Sequence, residues 1–530
     1  MKKLVRSVGI LVLMGTLMTP VNLTGQDPVA PGALEAYEVG QALPPFEEGQ
    51  SLVEMSLDAA IDRALRANLD IQTVMLSPQI QSYSLQAAQA AFNPTFSGNY
   101  GYNNSTNQST SQLDGGARTT SQRHTFNSSL SQTVPWYGGR LSADFNNSRT
   151  STNNSFTTLN PSYRSTVSFN YTQPLLSGFR TDNQRNAVRT QQIQGQITDI
   201  QVSAQIANIT DRVRVFYWGL RAAIEQIEIQ RRSLAQAQQL LADNQLRVQL
   251  GTMAEIQVVQ AESQVASAEQ ALLNAEVLWR NQELAFKLLL IGGADDPLLG
   301  QTVNPVDVPV ALQQAVDIQA AIEIALRERT DIRQQLQQRR ISELDLEVTE
   351  NSRLPEFNLT ASYSLLGVGG TEFDRPTLGG DPVLVQQGGY FDGLSSIADF
   401  ETPTWNVGVN FSYPLGTSSQ KANLQRARLQ LQQTELAIKA QELQIVTEVT
   451  GAGLAVNDTN LQFQAAQRSR ELAEESATAE TTRFNAGVST NFEVAAAQDD
   501  LTSARLSELR ALINHVNAIA EFELVQRFGG

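Results

Sequence analysis

The chain has 530 residues, a formal net charge of −16, 41% hydrophobic and 7% aromatic residues, two histidines and no cysteine. The acidic balance argues against nucleic acid as a partner, since a phosphate-tracking protein needs a basic face. The missing cysteines exclude a disulfide framework, and the lean apolar fraction points to elongated packing rather than large globular cores.

Lys2, Lys3 and Arg6 precede the apolar run VGILVLMGTLM, and small residues follow near Gly25, so residues 1–25 read as a secretory signal peptide. No later stretch approaches about 18 consecutive apolar residues, so no helical membrane span is expected. After an extended segment over 26–51, the sequence from Ser56 to Ala91 reads as helix. Pro94 marks a junction, and the period then changes from helical to alternating. In YRSTVSFNYTQ, Tyr163, Val167, Phe169 and Tyr171 fall on one face, with Arg164, Thr166, Ser168, Asn170 and Thr172 on the other. Weaker alternation occurs over 96–102, 126–134 and 141–145, with VPWYGG (134–139) as a turn, so four strands are expected before the junction at Pro174. Each is about the length of a tilted strand crossing an outer membrane. Alternation alone also fits an exported β-sandwich; the Asn-, Ser- and Thr-rich connections, which read as external loops, and the long helices favour a barrel.

Leu176 to Leu250 runs without proline, about 110 Å of helix. Leu220, Ile227, Leu234, Leu241 and Val248 recur every seventh residue, as do Val258, Val265, Leu272, Trp279 and Phe286 beyond Gly251. Gly251 is a candidate helix terminator able to adopt positive φ, and Thr252 and Glu255 have the spacing of a capping box for the next helix, Met253–Leu290. The two helices Ser56–Ala91 and Met253–Leu290, placed end to end, match the long one in length.

The pattern then repeats. SLDAAIDRALRANLDI from Ser56 aligns with DIQAAIEIALRERTDI from Asp317, pairing Asp70 with Asp331, and Pro94 pairs with Pro355. Two strands follow, 357–365 and WNVGVNFSYP, ending at the junction Pro414. A long helical run from Ser418 to Ala486 ends at Gly487, and Thr490 and Glu493 repeat the capping-box spacing. The chain therefore divides into repeat 1 (52–291: helix, four strands, long helix, tip turn, helix), a linker (292–316), and repeat 2 (317–530: the same order with two strands).

This arrangement resembles the TolC-like outer-membrane efflux proteins over nearly the whole mature length. The resemblance rests on the duplication, on QPLLSG where strand returns to helix, and on a tip pattern of Arg four residues before Gly. Arg247, Leu250, Gly251 and Thr252 match that pattern, and so do Arg483, Ala486, Gly487 and Val488. It implies an α+β membrane protein: a homotrimer whose strands close one β-barrel in outer-membrane lipid, continued by a periplasmic α-helical coiled-coil barrel. It further implies that the tips meet a periplasmic adaptor linked to an inner-membrane pump or secretion ATPase, with no enzymatic activity, cofactor or metal. The usual protomer contributes four strands; six here give an 18-stranded trimeric barrel. The family's constricting acidic residues follow the second tip glycine by six and nine positions, which are Glu493 and Ala496, so only the first matches. Glu493 is equally placed to be a capping-box residue, and Arg247 and Arg483 to be cations favourable to helix C-termini. His124 falls in a strand and His515 in the last helix, where packing is the plainer role. A trimeric coiled-coil surface protein with a barrel anchor is the alternative, disfavoured because strands are inserted between helices in both repeats.

Overall fold

The computed structural model describes residues 39–45, 51–109, 116–310, 316–375, 380–413, 415 and 418–529. The expected signal peptide, part of the extended segment after it, and Pro414 lie outside the described residues. The first half contains β1 (Leu52–Met55), α1 (Leu57–Ala67), α2 (Leu69–Val74), α3 (Ser77–Ala90), β2 (Thr95–Gln108), β3 (Arg118–Thr133), β4 (Arg140–Thr152), β5 (Leu159–Pro174), α4 (Asn183–Gln249) and α5 (Ile256–Leu290). The second contains β6 (Thr302–Pro305), α6 (Ile318–Glu328), α7 (Thr330–Ser352), β7 (Glu356–Asp374), β8 (Val383–Gln386), α8 (Tyr390–Ala398), β9 (Pro403–Ser412), α9 (Ser419–Asn485) and α10 (Asn491–Val525). The long helices α4 and α9 each have 67 residues, and the helices after the tips each have 35.

The helix expected from Ser56 is broken twice. Asn68 is extended, with φ −60° and ψ 125°, and caps α2 by accepting the N–H groups of Asp70 and Ile71. Its side-chain amide is buried and donates to Leu289 O at 3.0 Å. Pro78 then sits at the start of α3, where its missing N–H costs nothing. In the second half Arg329 divides α6 from α7 in the same way, its buried guanidinium paired with Asp331 and Glu448. Both breaks are bought by tertiary partners, which is why local propensity does not reveal them.

Among the described residues, β2, β3, β4, β5, β7 and β9 form one antiparallel sheet in that order, with short β8 on the far end of β7. The register makes the alternation explicit. Phe96, Leu130, Ala143, Phe169, Tyr363 and Trp405 form one cross-strand row, and Thr95, Ser131, Ser142, Asn170, Ser362 and Asn406 the next. Successive residues point to opposite faces, so one face is apolar and the other polar. On the polar face Asp144 accepts from Ser142 and Asn170 at 3.0 and 2.9 Å and also bonds Ser129. Most of the apolar face is uncovered among the described residues: Phe96 and Trp405 are 72% and 74% exposed.

α4 packs against α1, α2, α3, α5, α7 and α10, and α9 against α6, α7 and α10. Buried Val213, Tyr217, Leu220, Ile224 and Ile227 alternate steps of four and three, the seam of a coiled coil. In α5 the buried line is alanine at 261, 268 and 275, then Trp279 and Phe286, so the backbones approach closely; Val258, Val265 and Leu272 beside it are only half-buried. At mid-height, β1 and β6 pair in parallel. Arg221, fully buried, pairs with Glu225 and donates to Ala42 O and Pro305 O at 3.2 and 3.1 Å. These bonds fasten the N-terminal segment and β6 to the middle of α4.

Candidate functional site at the helical tips

α4 and α9 end in the same backbone device. After α4, Gly251 has φ 73°; its N–H bonds Val248 O at 2.9 Å, and Thr252 N–H bonds Arg247 O at 2.9 Å. After α9, Gly487 has φ 78°; its N–H bonds Phe484 O at 3.0 Å, and Val488 N–H bonds Arg483 O at 3.0 Å. These are paired Schellman caps, in which a left-handed residue returns two N–H groups to the last turn. The arginine four residues before each glycine supplies the outermost capped carbonyl, and its cation lies at the negative end of its helix.

The side chains then diverge. Arg247 reaches across to the other tip: its guanidinium lies 4.1 Å from the Phe484 ring centroid and donates to Phe484 O at 3.3 Å and Asn485 Oδ1 at 3.2 Å. Arg483 stays on its own helix, 3.0 Å from Glu480 and largely exposed. Phe484 is buried against Leu240 and Val494, so the two tips share a small apolar core. Leu250, Ile256, Val488 and Phe492 are exposed around it.

The expected capping box at Thr490 and Glu493 forms: Glu493 N–H reaches Thr490 Oγ1 at 3.3 Å and Thr490 N–H reaches Glu493 Oε2 at 2.8 Å. The one expected at Thr252 and Glu255 does not. Thr252 Oγ1 instead donates to Arg247 O at 2.9 Å, and Glu255, in helical conformation, leaves α5 without a side-chain cap. Here closing the α4 end takes precedence over starting α5. Glu493 is fully exposed and its carboxyl is held below the ordinary glutamate value, first by the Thr490 N–H, then by the Ser489 and Thr490 hydroxyls, with Arg483 adding attraction. Ala496 is exposed on the same helix.

Pro94 and Pro355 immediately precede β2 and β7, and Pro174 closes β5. His124 lies on the apolar sheet face, 2.8 Å from the Tyr100 hydroxyl, and His515 is buried with Nδ1 3.2 Å from Thr459 Oγ1. Among the described residues no cluster of His, Cys, Asp and Glu is arranged to hold a metal, and no helix is long and apolar enough to cross a membrane. The periodicity missed Phe484 and Asn485 as partners of Arg247, and it missed buried Asn244 and Asn491 near the tips.

No curated protein matches the sequence significantly. Among solved structures, the fold is similar to that of CusC (17% identity, 93% of this chain and 97% of that one, TM-score 0.64). It is also similar to the Campylobacter jejuni CmeC outer membrane channel (15%, 94% of each chain, 0.63) and to the open-state Neisseria gonorrhoeae MtrE channel (18%, 89% of each, 0.59). The sequence profile described as outer membrane efflux protein matches residues 136–292 and 321–524, well over half of the chain. The chain belongs to the outer membrane efflux protein family.

Proposed function

We propose that the chain is the outer-membrane channel subunit of a tripartite efflux or type I secretion system, acting as a homotrimer. The observation that carries this reading is the pairing of two features along 67-residue helices: a sheet bare and apolar on one face, and exposed apolar tips with duplicated caps. Among the described residues the sheet ends at β2 on one side and at β9, with short β8, on the other. In a bilayer each unpaired backbone group costs several kcal/mol, so such a sheet must close with further copies. Six wall strands per chain give three copies an 18-stranded barrel, wide enough for an aqueous lumen lined by the polar face. The helices, about 100 Å long, continue that lumen through the periplasm.

At the far end, Arg247, Leu250, Gly251, Thr252, Arg483, Ala486, Gly487 and Val488 meet a periplasmic adaptor that connects to an inner-membrane pump. Two tips per chain give six in the trimer. Glu493, beside the second tip, narrows the aperture as well as capping α10. The test uses the cysteine-free chain with single substitutions Leu250→Cys, Val488→Cys or Val407→Cys, cross-linked in cells that also produce the adaptor. Adducts from the two tip positions and none from Val407 are expected. Export that proceeds while neither tip position cross-links overturns the adaptor assignment.

A further inference from the structure

The apolar face of the sheet is bare except where α8 lies on it. The rows Asn147–Ser165–Gly367 and Arg149–Tyr163–Gly369 share the face of Phe169 and Trp405. Both rows reach β7 at a glycine, and α8 packs into the resulting notch over β7 and the adjoining β5. A Cβ on Gly367 would overlap Gly393 O, and one on Gly369 would overlap Gly389 O, so backbone rests directly on backbone. Tyr390 OH donates to Asn147 Oδ1 at 3.0 Å, and its ring meets Tyr163 edge-on with centroids 6.1 Å apart. Asn147 and Ser165 are 7% and 1% exposed beneath the helix.

The outward side of α8 carries Phe391 with Asp392, Ser395 and Ala398, and Phe400 follows just beyond the helix between exposed Asp399 and Glu401. Phe391 is 81% exposed and Phe400 is 61% exposed. Phe400 also ends the helix in a strained state. Its φ is 56°, with Phe400 N–H bonded to Ile397 O at 3.2 Å and Glu401 N–H to Ser396 O at 3.1 Å. This is the cap used at both tips, with phenylalanine in the left-handed position that the tips give to glycine. A bulky ring held outward at a strained position implies a surface that receives it.

The height of α8 identifies that surface. Tyr102, His124, Arg149 and Tyr163 form one cross-strand row ending at Gly369, three rings with polar ends and one guanidinium level with the helix. From Phe357, near the helical end, to Gly369 is about 40 Å along β7, or about 30 Å after strand tilt. That is the far boundary of an outer-membrane apolar band, where aromatic girdles sit. The notch lies over β5 and β7; β9 pairs with β7 only as far as Leu365 and β8 only from Glu372, so at Gly367 and Gly369 β7 is the outermost strand on its side among the described residues.

We propose that α8 is an interfacial anchor: a helix docked on the lipid-facing wall at the outer boundary of the membrane, with Phe391 and Phe400 inserted among acyl chains just below the headgroups. This rests on the barrel reading above, and the test separates the two. Single cysteines replace Phe391, Phe400 or Val407, the last on the apolar face within the band. Each carries an environment-sensitive fluorophore on the full chain in phosphatidylcholine vesicles. Lipids brominated high in the acyl chain should dim the labels at 391 and 400 at least about twofold while aqueous iodide does little, as for a helix lying at the lipid interface. The label at 407 should respond to lipids brominated deeper. If 407 responds to lipid but 391 and 400 respond to iodide, the anchor is wrong and the barrel stands. If 391 and 400 respond to neither quencher, a neighbouring copy covers them, which also overturns the anchor. A label at 407 that ignores lipid sinks the barrel reading and the anchor with it.

Discussion

The two tips have the same turn and different side-chain economies. Both close a 67-residue helix with a left-handed glycine and two returning N–H groups. Yet the arginine of the first tip is spent on Phe484 of the second, while the arginine of the second remains at the surface. The capping box of the second has no working counterpart in the first. Duplication thus preserved the backbone solution, which is local, and let side chains specialise where the copies touch. The second tip serves as platform, the first as clasp.

The largest expected effect comes from removing the platform. Phe484→Ala deletes a buried ring and should cost about 3 kcal/mol or more locally. Hydrogen exchange at the amides of 480–488 and 244–252 should then speed up roughly a hundredfold. Val248, which occupies the equivalent place in the first tip, is only half-buried, so Val248→Ala should cost about 1 kcal/mol. Equal effects at the two positions would show that the tips are symmetric after all.

What was legible in the sequence follows the same division. Period-two alternation located the long sheet strands β2, β3, β4, β5, β7 and β9, because a face-to-face contrast survives without knowledge of neighbours. The two glycines located the helix ends, because only they relieve positive φ there. The helix breaks at Asn68 and Arg329 were hidden, since each depends on a partner far along the chain: Leu289 O for one, Glu448 for the other. β1 and β6 are four-residue strands that pair across 250 positions, and no local pattern announces them. α8 was missed because its C-terminal cap has Phe400 where glycine is expected and its seat is made by Gly367 and Gly369 on β7. Of the tip residues, the positions were visible and the Arg247–Phe484 contact was not.

Replacing both glycines in turn sharpens the comparison at the backbone. Neither Gly251 nor Gly487 has an atom within 4 Å of where a Cβ would stand. Alanine there meets no obstacle, and its cost is the left-handed conformation alone, about 1–2 kcal/mol. The prediction is an equal loss of protection at Thr252 and Val488 in the two single variants. A difference above about 1 kcal/mol would mean that the turns are supported unequally by the side chains around them.

The smallest effect concerns the caps. Thr490→Ala removes the hydroxyl that receives Glu493 N–H and should weaken the start of α10 by about 1 kcal/mol. Thr252→Ala removes only an exposed bond to Arg247 O and should change the start of α5 by a few tenths. Acid probes the same difference through Glu493. Its folded carboxyl is held below the ordinary value of 4.5. The contribution of the charged form is therefore complete above that value and lost as the pH falls through the lower, folded one. Exchange at 492–494, corrected for its intrinsic pH dependence, should accelerate across that window. Exchange at 256–258 should not, because no carboxylate caps α5. Parallel acceleration at both sites would mean that acid loosens the shared tip core rather than the capping box, and the distinction between the two caps would then have no energetic content.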